Sequence, residues 1–483
     1  MSDINVKKET VKSVKWQAIG SYSNTVVSFI LGIILARLLL PSDYGTLSMI
    51  AIFFTIAGLI QDSGFGTALV QKKDASSTDF STVFYFNVAV SLICYTLLFL
   101  FSPTIADFFD LPILKDLVRV SGLSLVIGSL GSIQGTILYK NLNFKTPAIL
   151  GITSNIISGI VGVSMAYLGY GVWALVGQSL SSISIRTLGL WIQSNWKPLP
   201  VFSKKSFKEL FAFGGNVLMG RILNRVINDA TPLLIGKFYH PTSLGFYNKG
   251  KSIANMPYNL VYGVVASVTF PILSKIQDDK ERLVHVYEKY IKVFSLAIFF
   301  IMMMVAALAH PLILFLYSSK WESSVIFLQI FSFSTMFTHI HSINCNLILA
   351  AGRAELNLKT EVIKKTIWII ALCCSLPFGV IAICIVSVIT SQLSLIVNTY
   401  YTGKLFGLGY YRQWKIFLPY FLFAFVCCLP AFLLTYTNLP NLICLILGGI
   451  ISSLLYFGLL WKKKDENLIE LIQITPLKKY IKV

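Results

Sequence analysis

The chain contains a succession of apolar runs, each about as long as one membrane crossing, separated by short polar or Gly/Pro-rich breaks. A helix needs about 20 residues, at 1.5 Å each, to cross the hydrocarbon core of a bilayer. The runs therefore predict an all-α integral membrane protein. We count fourteen predicted spans: 16–38, 44–61, 82–103, 117–139, 147–168, 172–191, 211–236, 244–265, 293–317, 323–350, 366–380, 381–401, 415–436 and 439–460.

Composition excludes several other classes of protein. Of the 483 residues, 55% are hydrophobic and only 13% are charged, which is too apolar for a water-soluble domain. The formal charge of +19 is spread over short loops rather than one soluble surface, so we expect no nucleic-acid partner. These loops leave no room for a soluble catalytic domain, and we expect a protein that is not an enzyme.

The positive charges predict the orientation. With a cytoplasmic N-terminus and fourteen spans, thirty of the 40 Lys and Arg residues fall on the cytoplasmic side. We therefore predict a multi-pass protein of a bacterial cytoplasmic membrane with both termini in the cytoplasm. Residues 266–292 are predicted to form one amphipathic helix, and 462–483 a basic cytoplasmic tail.

The chain repeats itself at an offset of 200 residues. Six spans separate the two copies, and an even number gives both copies the same orientation in the membrane. This predicts two six-helix lobes in a parallel relation. The N-lobe is 1–200, the C-lobe 201–405, and helices 13 and 14 occupy 406–461. The matched pairs are Gly20/Gly220, Asn24/Asn224, Arg37/Lys237, Pro41/Pro241 and Gly45/Gly245.

Four stretches carry a family resemblance: 35–45 (LARLLLPSDYG), 61–71 (QDSGFGTALVQ), 244–250 (LGFYNKG) and 270–274 (FPILS). They resemble the Wzx-type polysaccharide transporters of the multidrug/oligosaccharidyl-lipid/polysaccharide superfamily, although Lys249 stands where that family usually has Arg. The resemblance implies a flippase for an undecaprenyl-pyrophosphate-linked glycan, with a cavity between two lobes. Membrane lipids and other polysaccharide assembly proteins are the implied partners.

Charged residues inside a span are the first candidates for a transport site. An ionised side chain at the centre of a membrane helix costs about 2.5–3.5 kcal/mol, so it is expected to face a wet cavity or a partner. In span seven, Arg221, Arg225 and Asp229 recur every four residues with Asn224 beside them. This predicts a cationic wall that binds an anion. The alternative is that Asp229 only neutralises Arg225 as a packing pair.

Further cations lie near the predicted outer ends of helices. Arg37, Lys237, Lys249 and Lys251 are predicted to contribute to the same cationic cavity. Long basic side chains at such positions also reach to lipid headgroups, and this alternative stays open. The secondary candidates are Arg119, Arg186 and Asn24.

The sequence offers no cofactor site. His339 and His341 are two residues apart on a predicted helix and cannot share a metal ion, and there is no Gly-rich phosphate loop for ATP. Three rival functions share parts of the pattern. They are a cation-coupled multidrug exporter, a peptidoglycan lipid-precursor flippase of the same superfamily and a membrane polysaccharide polymerase. A polymerase typically has a long outer loop, and none is predicted in this sequence.

Overall fold

The computed structural model describes residues 3–469, with side chains described throughout except at 3–12, 14, 212–217, 219, 221, 223, 260, 264, 266 and 267. This range is helical and contains no β-strand. The predicted tail therefore lies mostly outside the described residues. The helices are α1 (Asp3–Leu38), α2 (Pro41–Asp62), α3 (Phe65–Gln71), α4 (Ser77–Phe108), α5 (Ile113–Lys140), α6 (Lys145–Tyr167), α7 (Val172–Gln193), α8 (Lys204–Phe238), α9 (Pro241–Lys275), α10 (Lys280–Ala307), α11 (Ala309–Tyr317), α12 (Ser324–Thr335), α13 (Thr338–Ala350), α14 (Ala354–Ser375), α15 (Val380–Phe406), α16 (Tyr410–Leu434) and α17 (Asn441–Lys462).

Within the described residues, eight helical segments are long and apolar enough to cross a membrane. Helix α9 bends by 45° between Asn259 and Val261 and would be a ninth if both parts form one span. The chain is therefore a multi-pass, all-helical membrane protein. The other predicted spans are not among these segments, so the count of fourteen stays a prediction. The eight segments are Lys15–Leu38, Pro41–Gln71, Ser77–Phe108, Lys145–Tyr167, Lys280–Ala307, Val380–Phe406, Tyr410–Leu434 and Asn441–Lys462.

One sequence prediction about helix continuity was wrong. Residues 266–292 are not one helix, because α9 ends at Lys275 and α10 begins at Lys280. The Asp279 carboxylate accepts the backbone N–H of Arg282 at 3.0 Å and so caps the start of α10. The predicted span 323–350 consists of α12 and α13, and the buried Phe337 at the break packs against other aromatic rings.

The chain divides into two compact units, Met1–Gly245 and Phe246–Val483. In the first unit, α1 packs on α6, α4 on α5, and α6 on α7, while α8 lies against α2 and α3. A β-carbon on Gly20 would lie 2.5 Å from the Ala148 β-carbon, so glycine lets α1 and α6 approach closely. The predicted division at 200 and 405 stays a prediction.

The second unit holds a buried polar network. Helix α10 packs on α16, and α15 packs on α12, α13 and α14. The Asn344 amide oxygen accepts hydrogen bonds from Tyr287 Oη (3.0 Å), Thr402 Oγ1 (3.0 Å) and Gln413 Nε2 (2.9 Å). All four residues are fully buried. Because buried polar groups in a membrane protein need internal partners, this network fixes how α10, α13, α15 and α16 pack together.

The repeated Pro/Gly motif forms a reciprocal contact inside the first unit. Pro41 and Pro241 are the first residues of α2 and α9, where the missing N–H of proline costs nothing. A β-carbon on Gly45 would lie 1.8 Å from the Pro241 carbonyl oxygen, and one on Gly245 would lie 2.0 Å from the Pro41 carbonyl oxygen. Only glycine permits these two backbones to approach so closely.

Candidate substrate-binding site

The charged stripe predicted in span seven lies on α8. Arg225 Nε and Asp229 Oδ2 are 2.6 Å apart, one helical turn from each other. The Arg225 side chain is still 46% exposed and that of Asp229 is 20% exposed. Asn224 Nδ2 donates to the Gly220 carbonyl at 3.0 Å. The side chain of Arg221 lies outside the described residues. The ion pair named as the alternative is therefore present, and it leaves nearly half of the Arg225 side chain exposed.

Three other predicted cations occupy different places in the first unit. Lys237 Nζ lies 3.1 Å from Asp110 Oδ2, which ties the end of α8 to the turn between α4 and α5. Arg37 is exposed in the last turn of α1. Arg119 Nε donates to Ser102 Oγ at 2.9 Å, which links α5 to α4. Its guanidinium group also lies 4.4 Å from the ring centroid of Phe99 on α4.

The two predicted cations of the second unit are held by aromatic rings. Lys249 Nζ lies 4.5 Å from the ring centroid of Tyr317 and 4.8 Å from that of Trp321. Lys251 Nζ lies 5.5 Å from the ring centroid of Tyr247. These are cation–π distances, which stabilise an ammonium group away from water. Participation of either lysine in substrate binding stays a prediction.

The first unit contains a cavity of about 730 Å³ that brings together two of the secondary candidates, Asn24 and Arg186. Its walls come from α1, α2, α3, α5, α6 and α7. Asn24 Oδ1 accepts a hydrogen bond of 2.9 Å from Asn155 Nδ2, which fixes the amide. Other polar and aromatic residues of the wall are Trp16, Gln17, Ser21, Asp62, Thr67, Ser132, Thr136, Tyr139 and Phe144.

Helix α3, which forms part of the cavity wall, is fixed by contacts of two lysines. Lys140 Nζ donates to the carbonyl oxygens of Leu69 and Lys72, at the end of the short helix α3. Lys72 Nζ lies 3.2 Å from an Asp79 carboxylate oxygen and 3.1 Å from Glu209 Oε2. Burial lowers the pKa of Lys72, but its hydrogen bonds to Glu209 and Asp79 more than offset this, so the pKa lies above its ordinary value. The ammonium group is therefore charged at neutral pH and anchors α3.

Sequence reasoning missed most of the cavity wall. Gln17, Ser21 and Asn24 are spaced by four and three residues and so lie on one face of α1. At the offset of 200 residues, Ser21 matches Arg221 and Asn24 matches Asn224. The same stripe is thus neutral in the first copy and charged in the second. A search guided by charge finds only the second stripe.

Comparison with known proteins places the chain in a family. A family model described as "Polysaccharide biosynthesis protein" matches residues 34–326. The chain is 26% identical over 357 residues to the teichuronic acid biosynthesis protein TuaB of Bacillus subtilis, covering 73% of each chain. It is 22% identical over 426 residues to the lipopolysaccharide biosynthesis protein WzxC of Escherichia coli, covering 87% of this chain and 86% of that one.

A solved structure shares the fold. The chain superimposes on the lipid II flippase MurJ, in an inward closed conformation, with a TM-score of 0.74 and 18% identity. The match covers 94% of this chain and 99% of that chain. At this level of identity the likeness shows the fold alone. The family match covers more than half of the sequence and confirms the resemblance found in its motifs: the chain belongs to the polysaccharide biosynthesis protein family.

Proposed function

We propose that this protein is a flippase for surface polysaccharide assembly. It moves a polyprenyl-pyrophosphate-linked oligosaccharide from the inner to the outer leaflet of a bacterial cytoplasmic membrane. The surface polymer is a lipopolysaccharide O-antigen, a capsule or an exopolysaccharide. The observation that carries this proposal is the family match over 34–326, a range that includes the charged stripe of α8. The names of the relatives, which refer to teichuronic acid and lipopolysaccharide biosynthesis, support it.

The proposed architecture has fourteen spans with both termini in the cytoplasm. Two six-helix lobes, 1–200 and 201–405, are related by the repeat at offset 200, and helices 13 and 14 follow at 406–461. In such a transporter, access alternates between the two sides of the membrane as one lobe moves against the other. The fold likeness to a lipid flippase over 94% of the chain supports this architecture.

The proposed anion site is centred on Arg221 and Arg225. A pyrophosphate carries about two negative charges, and charge-assisted hydrogen bonds from arginine replace its hydration. In the absence of substrate, Asp229 partly neutralises Arg225 through the 2.6 Å ion pair. The incoming phosphate competes with Asp229 for the exposed part of the guanidinium group. The further cations proposed for this anion site are Arg37, Lys237, Lys249 and Lys251.

The sign of the charge suggests a driving force. With the cell interior negative, moving an anionic headgroup outward is favoured by about 2.3 kcal/mol per charge per 100 mV. The emptied cationic site is drawn back toward the interior by the same field. The membrane potential therefore biases the cycle in the direction needed for export.

Rival functions make different demands on the same helices. A cation-coupled drug exporter needs acidic groups for its cationic substrates, whereas the α8 stripe contains two arginines for one aspartate. The fold suits a peptidoglycan-precursor flippase equally well. The substrate of such a flippase also carries a lipid pyrophosphate, so the anion site on α8 does not distinguish the two functions. The family match favours a substrate of polysaccharide biosynthesis.

A charge-reversal experiment tests the proposal in cells. The double variant Arg221→Glu/Arg225→Glu is expected to abolish surface glycan while the protein stays in the membrane at the parental level. The matched control is Lys204→Glu/Lys208→Glu, which changes two exposed lysines with the same spacing in the first turns of α8. Normal surface glycan in the arginine variant would refute the site.

A further inference from the structure

The cavity of the first unit differs from the α8 stripe in its charge. Its lining contains one acidic residue, Asp62, and one basic residue, Arg186, so the formal charges cancel. All other lining residues are neutral. A neutral wall gives no net attraction to a doubly charged pyrophosphate, but it suits a neutral polar ligand.

Several polar groups of this wall are available to a ligand. Within the part of the chain that the structure describes, the Gln17 amide, the Ser21 hydroxyl and the Tyr139 hydroxyl make no hydrogen bond. The guanidinium group of Arg186 likewise has no hydrogen-bond or ion-pair partner among the described residues, and its side chain is exposed. Together these groups offer both donors and acceptors at one surface.

Other polar groups of the wall are already oriented by the protein. Ser132 Oγ donates to the Ser129 carbonyl at 2.9 Å and accepts from Asn87 Nδ2 at 3.2 Å. Thr136 Oγ1 donates to the Ser132 carbonyl at 3.0 Å. A hydroxyl oxygen has two lone pairs, so the Thr136 hydroxyl still offers acceptor capacity in a fixed position.

Three aromatic side chains complete the wall. Trp16, Tyr139 and Phe144 line the cavity, and Tyr139 is 55% exposed. Aromatic rings pack on the C–H faces of a sugar ring, while hydroxyl and amide groups bind its hydroxyls. A volume of about 730 Å³ lies within the roughly 300–1,000 Å³ of pockets that enclose small molecules.

We propose that this cavity binds one or more sugar rings of the lipid-linked glycan, separately from the pyrophosphate site on α8. The assignment rests on the proposed flippase function and adds a second subsite to it. Recognition of the glycan is thereby carried by the first copy of the repeat, in which Ser21 and Asn24 match Arg221 and Asn224.

Gly135 provides a way to fill the cavity without disturbing the fold. It lines the cavity, and a β-carbon placed there would meet no atom within 4 Å. Gly135→Leu is therefore expected to project into the cavity. Gly58→Leu is the matched control, because Gly58 also has open space around its β-carbon position but does not line this cavity.

The first measurement is binding of a soluble glycan to the purified full-length protein. The probe is the repeat-unit oligosaccharide released by mild acid from the lipid carrier of the producing strain. We expect Gly135→Leu and Gln17→Leu to weaken its binding at least tenfold and Gly58→Leu to leave it unchanged. Inorganic pyrophosphate at equal concentration is expected not to displace the glycan. Equal glycan affinity in Gly135→Leu and Gly58→Leu, or displacement by pyrophosphate, would overturn the assignment.

The second measurement separates this inference from the proposed function. Proteoliposomes with the parent protein are expected to flip the lipid-linked repeat unit, and those with Gly135→Leu to flip it at least tenfold more slowly. If Gly135→Leu flips it as fast as the parent, the sugar subsite is wrong and the flippase function stands. If the parent protein itself flips no lipid-linked glycan, the function fails, and the sugar subsite fails with it.

Discussion

The reciprocal Pro/Gly contact makes a strong prediction about Gly45. In Gly45→Ala the new β-carbon would start 1.8 Å from the Pro241 carbonyl oxygen, whereas real β-carbons essentially never approach closer than 3.0 Å. One backbone must therefore move by about 1.2 Å. Overpacking of this kind costs about 1–3 kcal/mol, and the upper end applies because the obstacle is backbone. Alanine itself favours a helix, so α2 is expected to stay helical.

The assay is thermal unfolding of the purified protein, followed by intrinsic fluorescence. A loss of about 3 kcal/mol in a unit of this size lowers the midpoint by about 6–12 °C. Gly245→Ala, with its 2.0 Å approach to the Pro41 oxygen, is expected to behave similarly. The double variant should cost much less than the sum, because opening one contact also relieves the other.

Gly58→Ala is the control for this prediction. Gly58 lies on the same helix, and a β-carbon there would meet no atom within 4 Å, so the substitution should be neutral or slightly stabilising. Equal midpoints for Gly45→Ala and Gly58→Ala would refute the close contact. Strict additivity in the double variant would refute its reciprocal character.

Three further predictions concern other parts of the molecule. Asn344→Ala should destabilise the protein by about 1–3 kcal/mol, because it removes the acceptor of the fully buried Tyr287 hydroxyl and one of the acceptors of Thr402 and Gln413. Thermal unfolding measures this, and a shift below 1 °C would contradict it. Lys72→Met should cost about 1 kcal/mol at neutral pH. The folded pKa of Lys72 is raised, so its contribution to stability is full below the ordinary lysine pKa of about 10.4 and is lost as the pH rises through the folded pKa. The melting temperatures of parent and variant should therefore differ by the same amount at neutral and mildly acidic pH. In strong alkali the two melting temperatures should converge. In proteoliposomes, an inside-negative potential should speed outward flipping of the lipid-linked glycan, and a rate independent of potential would exclude the proposed driving force.

The helical architecture could be predicted from the sequence because apolar runs of membrane length leave few alternatives. The break between α9 and α10 was missed because the amphipathic pattern continues across it. The signal was present in Asp279, a residue type that caps helix starts. The repeat revealed Gly45 and Gly245, but not that each glycine meets the proline carbonyl of the other copy.

The candidate site was only partly predictable, because charge is visible in a sequence and neutral polarity is not distinctive. Arg225 and Asp229 stand out within an apolar run, and their pairing follows from a spacing of four residues. Gln17 and Tyr139 come from different helices and meet only in the folded first unit. The contact of Arg119 with Ser102 likewise depends on how α4 packs on α5.

The most direct test of the account measures flipping by the purified protein itself. The lipid-linked repeat unit is placed in proteoliposomes, and a glycan-cleaving enzyme outside the vesicles reports its arrival in the outer leaflet. The account predicts flipping by the parent protein and by Lys204→Glu/Lys208→Glu, and none above protein-free vesicles by Arg221→Glu/Arg225→Glu. Parental rates in the arginine variant, or no flipping by the parent protein, would contradict it.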